Sequence, residues 1–330
     1  MKPKIEMRAL SVLMALLFVS VVMVPVVSAY EYPQQSWTQK NSNYYGGTNA
    51  YTASTIGYFG AVYIPGRDVY EYSYRITGVG ETRDGNSNSI SACRLQSLDI
   101  KETDNKIHQA IWTSTDPKYV GSWPLNDGNS AYYYDITYKI SSMAISAVSS
   151  YAGFAISAAD LVCSMLSGYD DHQDGETVWR TWEYYPDKTD VGHFFWWLID
   201  IDPSQTIKFS VEDCLFGPRY EVVGVGWTFT VTAPVAPSKM TESEKEKYAI
   251  ELIPINELKG RSEELNLAPE TVDELTMYGE PIYYAHKIPI EAIPYEPDKE
   301  KVISKILERG RYSRDTLFTA VTSMANSKEK

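Results

Sequence analysis

The fold class this sequence predicts is mainly β: an antiparallel β-sandwich-like domain carrying one long inserted helix, then a charged C-terminal region of mixed helical and extended segments. Three observations predict it. Apolar and polar residues alternate with period two in several runs, as strands with one buried face require. Turn-forming clusters separate those runs, among them Asp84-Gly85-Asn86, Asn126-Asp127-Gly128-Asn129 and Phe216-Gly217-Pro218. Trp and Tyr are dense up to Ala233-Pro234-Val235-Ala236-Pro237-Ser238, after which Trp disappears and charge crowds in. The Pro/Ala segment reads as a boundary, so the expected divisions are residues 1–29, 30–236 and 237–330.

The first element belongs to export rather than to the fold. A basic start (Lys2, Lys4, Arg8), an uncharged apolar stretch over 9–27 and the small-residue ending Val27-Ser28-Ala29 have the layout of a secretory signal. Pro25 breaks the apolar helix just before the expected cut. The mature chain is therefore expected to begin at Tyr30 and to work extracellularly or at the cell surface. The alternative is an uncleaved signal acting as a single-pass anchor, since residues 9–27 just reach across a bilayer. Contact with a membrane is expected only in that case.

Within 30–236, Tyr70, Tyr72, Tyr74 and Ile76 share one face of a strand, with Glu71, Ser73 and Arg75 on the other. Ile207, Phe209 and Val211 alternate with Lys208, Ser210 and Glu212. Val223, Val225, Trp227, Phe229 and Val231 form the strongest alternating run of the chain. Many short strands joined by turns indicate an antiparallel sandwich. Residues 140–166 break the pattern: Ile140, Met143, Val148, Tyr151, Phe154, Leu161 and Met165 fall near helical spacing, with serines opposite. A buried helix packed on the sheet is the expectation. The uncharged run inside it, residues 140–159, also opens a membrane-active reading of the protein.

After Pro237, Thr241-x-x-Glu244 predicts a capping box. An extended run over 250–255, a short helix over 269–277, extended Pro-spaced segments at Ile288-Pro289-Ile290 and Ile293-Pro294-Tyr295, and helices over 298–309 and 313–324 follow. This region carries little core of its own by composition.

The formal net charge of −13 argues against nucleic acid as a partner, because phosphate binding needs clustered Lys and Arg and none is present. Three cysteines, Cys93, Cys163 and Cys214, allow at most one internal disulfide, and none has Cys/His zinc spacing. GxSxG, HExxH and P-loop motifs are absent from the sequence. The four histidines, His108, His172, His193 and His286, are scattered and form no ligand set by spacing.

Two segments carry candidate chemistry. In Phe194-Phe195-Trp196-Trp197-Leu198-Ile199-Asp200-Ile201-Asp202, a strand would project Asp200 and Asp202 from one face, ~7 Å apart, with Trp196 beside them. Paired carboxylates at such a separation suit glycoside hydrolysis. The run resembles, over about five residues, the Glu-x-Asp-x-Glu strand of laminarinase-type β-sandwich glycosidases. Leu198 stands where that family has its nucleophilic glutamate, so no catalytic role is carried over. The second segment, Asp170-Asp171-His172-Gln173-Asp174-Gly175-Glu176, is an acidic loop in which Asp170, Asp174 and Glu176 supply hard oxygen ligands suited to calcium. Thr181 stands where an EF-hand loop has its twelfth-position glutamate.

The preferred reading is a non-enzymatic exported protein with a structural, adhesive or ligand-binding role, meeting a carbohydrate or a cell-surface protein. The alternatives are a secreted carbohydrate-active hydrolase using Asp200 and Asp202, and a membrane-active protein using the 140–166 helix.

Overall fold

Long β-branched and aromatic runs bury both faces of several strands, and a sheet can bury both faces only by being covered on each side. A computed structural model describes residues 33–103, 112–113, 120–123, 144, 146–147, 169–173, 177–262, 265, 267, 269–279, 281–309 and 312–318. It contains two antiparallel sheets. In chain order the strands are β1 (Gln35–Tyr45), β2 (Thr48–Ile64), β3 (Val69–Asp84), β4 (Cys93–Glu102), β5 (Trp112–Thr113), β6 (Val120–Trp123), β7 (Tyr169–Gln173), β8 (Thr177–Lys188), β9 (Asp190–Ile201), β10 (Thr206–Phe216), β11 (Val222–Thr232), β12 (Ile250–Ile253), β13 (Ile282–Ala285) and β14 (Ile290–Tyr295). The first sheet runs β12-β13-β2-β3-β9-β5, with β1 also on β2 and β6 also on β9; the second runs β14-β11-β10-β4-β8-β7. This is the sandwich-like, mainly β architecture that the alternation predicts.

The predicted alternation becomes the filling between the sheets. Tyr74 of β3 stacks on Trp197 of β9 at 5.4 Å and meets Phe209 of β10 edge-on at 5.6 Å. Phe209 stacks on Phe229 of β11 at 4.9 Å, and Trp37 of β1 meets Phe229 edge-on at 5.0 Å. Such ring pairs add about 0.5–1.5 kcal/mol each beyond the area they bury. The β1/β2 connection is two residues, Gly46 and Gly47, at φ 56° and 87°, the positive-φ signs of a type I′ turn, which only glycine adopts without strain.

β1 belongs to the first sheet by its backbone and to the second by its side chains. Asn41 Nδ2 donates to the Gly224 carbonyl at 3.0 Å and Asn43 Nδ2 to the Val222 carbonyl at 2.9 Å. Gln39 accepts from the Gly226 N–H and donates to the Tyr295 carbonyl, both at 3.1 Å. Gln35 donates to the Ile288 carbonyl at 2.6 Å. β14 pairs with β11 only over 226–231, so Asn41 and Asn43 occupy the stretch of β11 that β14 leaves uncovered, while Gln39 bonds across the last β11/β14 pair, Gly226 and Tyr295.

Residues beyond 236, expected to carry little core of their own, share core with both sheets. The capping box forms at α1 (Glu242–Lys247), with Thr241 and Glu244 bonded reciprocally. β12 and β13 extend the first sheet at β2, and β14 extends the second at β11. Leu258 of α2 (Ile255–Arg261) and Leu275 of α3 (Pro269–Tyr278) pack with Val62, Ile64 and Val69. Val302, Ile303 and Ile306 of α4 (Lys299–Glu308) cover Leu95, Trp179 and Phe216 on the outer face of the second sheet, and Leu317 of α5 (Arg314–Leu317) joins them. Lys305 clamps α4 down through Glu212 at 2.5 Å and Asp99 at 3.0 Å. The extended run expected over 250–255 ends at Ile253, where Pro254 starts α2. Of the helix expected over 140–166, Ala144, Ser146 and Ala147 are helical and the rest lies outside the described residues, as do residues 319–324 of the last expected helix. Among the described residues no helix is long and apolar enough to cross a membrane.

Candidate functional site

The two segments singled out by sequence fare differently. Asp170 lies in β7, paired with Thr181 of β8, so the first part of the expected acidic loop is an edge strand. Asp174 and Glu176 lie outside the described residues. Among the described residues no group of three or more His, Cys, Asp or Glu is placed to hold a metal ion. Cys93 and Cys214 are buried free thiols, and Cys163 lies outside the described residues.

Asp200 and Asp202 have separate partners. Asp200 sits near the end of β9, 8% exposed and directly opposite Glu71 of β3. Like charges facing each other across a ladder repel. Arg67, in the β2/β3 turn, resolves this by bonding Asp200, Glu71 at 3.1 Å and Glu274 of α3 at 3.1 Å. Thr271 of α3 donates to Glu71 at 2.6 Å, so the cluster ties α3 to the first sheet. Burial and the neighbouring Glu71 push the Asp200 carboxyl up to about 7, with Arg67 opposing. Burial likewise raises Glu71 against the pull of Thr271 and Arg67. Asp202, beyond the strand, accepts instead from Gln205 at 3.0 Å. Trp196 does share the Asp200 face of the strand, but it is 4% exposed, donates to Ser73 at 2.8 Å and lies under the Arg75 guanidinium. A ring so covered offers no face to a sugar.

A second ionisable group lies between the sheets. Asp213 continues the inward face of β10 set by Ile207, Phe209 and Val211, and it is fully buried. Its Oδ2 accepts from Ser54 of β2 at 2.5 Å and stands 3.4 Å from His193 Nε2 of β9. His193 stacks flat on Trp182 at 4.1 Å. Gly78 of β3 makes the room: a Cβ there would come within 2.0 Å of Asp213 Oδ2 and 2.4 Å of His193. Burial pushes Asp213 up to about 7 and His193 down to about 3, so both are neutral near pH 5. Ser, His and Asp are together here, but sealed from solvent and with the carboxyl rather than the imidazole next to the hydroxyl. The arrangement is a neutral inter-sheet lock, not a nucleophilic triad.

A concave feature that reaches solvent was not foreseen from sequence. A cavity of about 220 Å³ opens where β11 begins and α4 starts, lined by Asn43, Cys214, Val222, Glu296, Lys299 and Val302. Asn43 spends its Nδ2 on Val222, which keeps its amide oxygen as an acceptor. Lys299 donates to the Tyr220 carbonyl at 2.6 Å and lies 4.9 Å from the Tyr45 ring, and burial lowers its pKa. Next to it the β1/β2 hairpin tip exposes Tyr44 (63%) and Tyr45 (48%). Tyr220 backs this end, stacked on Phe318 at 4.0 Å with the Arg314 guanidinium on its ring. Exposed aromatic rings and a cavity lined by polar and apolar groups thus lie side by side at this end.

No family model and no curated relative matches the sequence. Solved structures give distant likenesses. One is a structure described as manganese lipoxygenase of Gaeumannomyces graminis with partial zonadhesin of Komagataella pastoris: 11% identity, TM-score 0.22, 62% of this chain and 48% of that one. Another is described as a pore forming protein, with 7% identity, TM-score 0.18, and 59% and 81% coverage. A third is the N-terminal domain of the Streptococcus gordonii adhesin Sgo0707, with 8% identity, TM-score 0.15, and 62% and 82% coverage. The chain thus spans about half the length of the first of these. At such TM-scores none carries an argument about fold or function, and the reading rests on the residues themselves.

Proposed function

We propose that this is an exported, non-catalytic protein that acts at the cell surface as an adhesive or ligand-binding β-sandwich, engaging its ligand through the hairpin end. The single observation that supports the reading most is the solvent-reaching cavity whose Lys299 lies against the exposed Tyr45 at the hairpin tip. The carboxylates offered by sequence for hydrolysis are occupied by Arg67 and Gln205, which favours binding over catalysis. Export rests on the basic, apolar and small-residue segments of 1–29.

The test is retention of beads carrying residues 30–330 on surfaces coated with cell-envelope polysaccharide or with intact envelope, compared with beads carrying the Tyr44→Ala/Tyr45→Ala variant. Retention of the wild type and loss in the variant is the expected result. Equal retention of both refutes binding through this end.

A further inference from the structure

We propose that the cavity between β11, the β1/β2 hairpin and the start of α4 accepts one neutral sugar ring; this rests on the surface-binding reading above. Size sets the first limit. At about 30 Å³ per water, 220 Å³ equals roughly seven waters. That is below the ~300–1,000 Å³ of pockets for drug-sized ligands and matches a single ring with its substituents. A longer chain would have to continue over the hairpin tip.

Charge sets the second limit. Glu296 and Lys299 are the two ionisable groups at the cavity wall whose charges oppose each other, so the wall is balanced and favours neither an anion nor a cation. The remaining chemistry is amphipathic. Asn43 and Glu296 accept hydrogen bonds, and Lys299, with one N–H on the Tyr220 carbonyl, has others to donate. Val222, Pro297 and Val302 give an apolar wall. A pyranose carries hydroxyls that both donate and accept around its rim and C–H groups on its faces, so it meets each of these walls in kind. Tyr45 is half-exposed beside the cavity, with Lys299 4.9 Å from its ring and Tyr220 at 6.3 Å, and the part of the ring that these leave open is where the next sugar residue would lie. A free amino acid would also find opposite charges at Lys299 and Glu296, but it would leave the tyrosine and the apolar wall unused.

The experiment is saturation-transfer NMR on residues 30–330 with the methyl glycosides of glucose, galactose, mannose and N-acetylglucosamine, and with glycine and alanine as controls. At least one glycoside is expected to receive magnetisation, and binding is expected to weaken about tenfold or more in Glu296→Ala and in Tyr45→Ala. Both positions are exposed, so both variants keep the fold; an unchanged thermal midpoint checks this. Val302→Trp, which puts bulk into the cavity from a position shared with the α4 core, is expected to abolish the signal, and it counts only with a thermal midpoint that shows the fold kept. Signals from the amino acids in place of the glycosides overturn the proposal, as do glycoside signals that survive all three variants. If no glycoside binds while the beads are still retained on envelope surfaces, the sugar inference falls and the surface-binding reading stands. If retention also fails, both fall.

Discussion

Asp213 and His193 give the most quantitative prediction. Their folded-state values, about 7 against an ordinary 3.8 and about 3 against 6.5, come from burial first and not from each other, so each shift survives removal of the partner. Between about pH 4 and 6.5 the unfolded chain holds one proton on this pair, on His193. The folded chain also holds one, on Asp213. Equal proton counts mean no slope of stability with pH from the pair. Replacing His193 with Phe leaves the raised carboxyl alone. The folded state then holds a proton that the unfolded state has lost, and stability falls with rising pH, by about 4 kcal/mol between pH 4 and 7 at ~1.36 kcal/mol per pKa unit. Replacing Asp213 with Asn leaves the depressed imidazole alone. The unfolded state then binds the extra proton, and stability rises by about 5 kcal/mol between pH 3 and 6.5. The assay is urea unfolding of residues 30–330 at half-unit steps from pH 3.5 to 8, with each variant expressed as a difference from wild type. Asp200, also raised to about 7, is common to all three proteins and drops out of the difference. Differences that stay flat with pH in both variants would refute the assignment of this pair as a neutral lock.

Three further outcomes are expected. Arg67→Ala strands Glu71, Asp200 and Glu274 together and should cost about 3 kcal/mol, the low end of the ~3–5 for breaking a buried pair because the arginine side chain is 28% exposed; adding Asp200→Asn should recover part of this in chemical denaturation. A chain ending at Ala236 loses β12, β13, β14 and α4, exposing Val62, Ile64, Val69, Trp179 and Phe216; it should bind a hydrophobic dye or precipitate, and a soluble, cooperatively melting fragment would contradict the shared cores. Calcium at millimolar concentration should raise the melting midpoint relative to chelator if Asp170, Asp174 and Glu176 hold it, and Asp174→Ala should cancel the rise; identical wild-type midpoints remove that site.

Alternation was readable wherever one face of a strand is apolar. The tyrosine run became β3, the Ile207 run β10 and the Val223 run β11. β2 gave no such signal because both its faces are buried, and small residues and glycines interrupt it. β13 and α2 are too short for periodicity to mark. Asp213 was within reach: extending Ile207, Phe209 and Val211 by one step puts a carboxylate on the core face, and His193 extends Phe195 and Trp197 in the same way. Their meeting was not readable, since it depends on which strands of the two sheets face each other. The cavity was out of reach for the same reason. Its walls come from β1, β10, β11 and α4, brought together only by the packing of the C-terminal helix on the second sheet.

The amides of β1 have a consequence for how this molecule ages. A backbone ladder keeps its chemistry for the life of the chain, whereas a seam made by Gln39, Asn41 and Asn43 holds carbonyl oxygens through side-chain N–H groups that hydrolysis can remove. Deamidation of Asn41 or Asn43 would turn a donor into a carboxylate aimed at the Gly224 or Val222 carbonyl, exchanging attraction for repulsion at a mass change of about one dalton. Such loss accumulates with the age of the chain whatever its compartment. The corner next to the hairpin tip would therefore loosen with time, and Asn43, which also lines the cavity, couples that wear directly to the cavity wall.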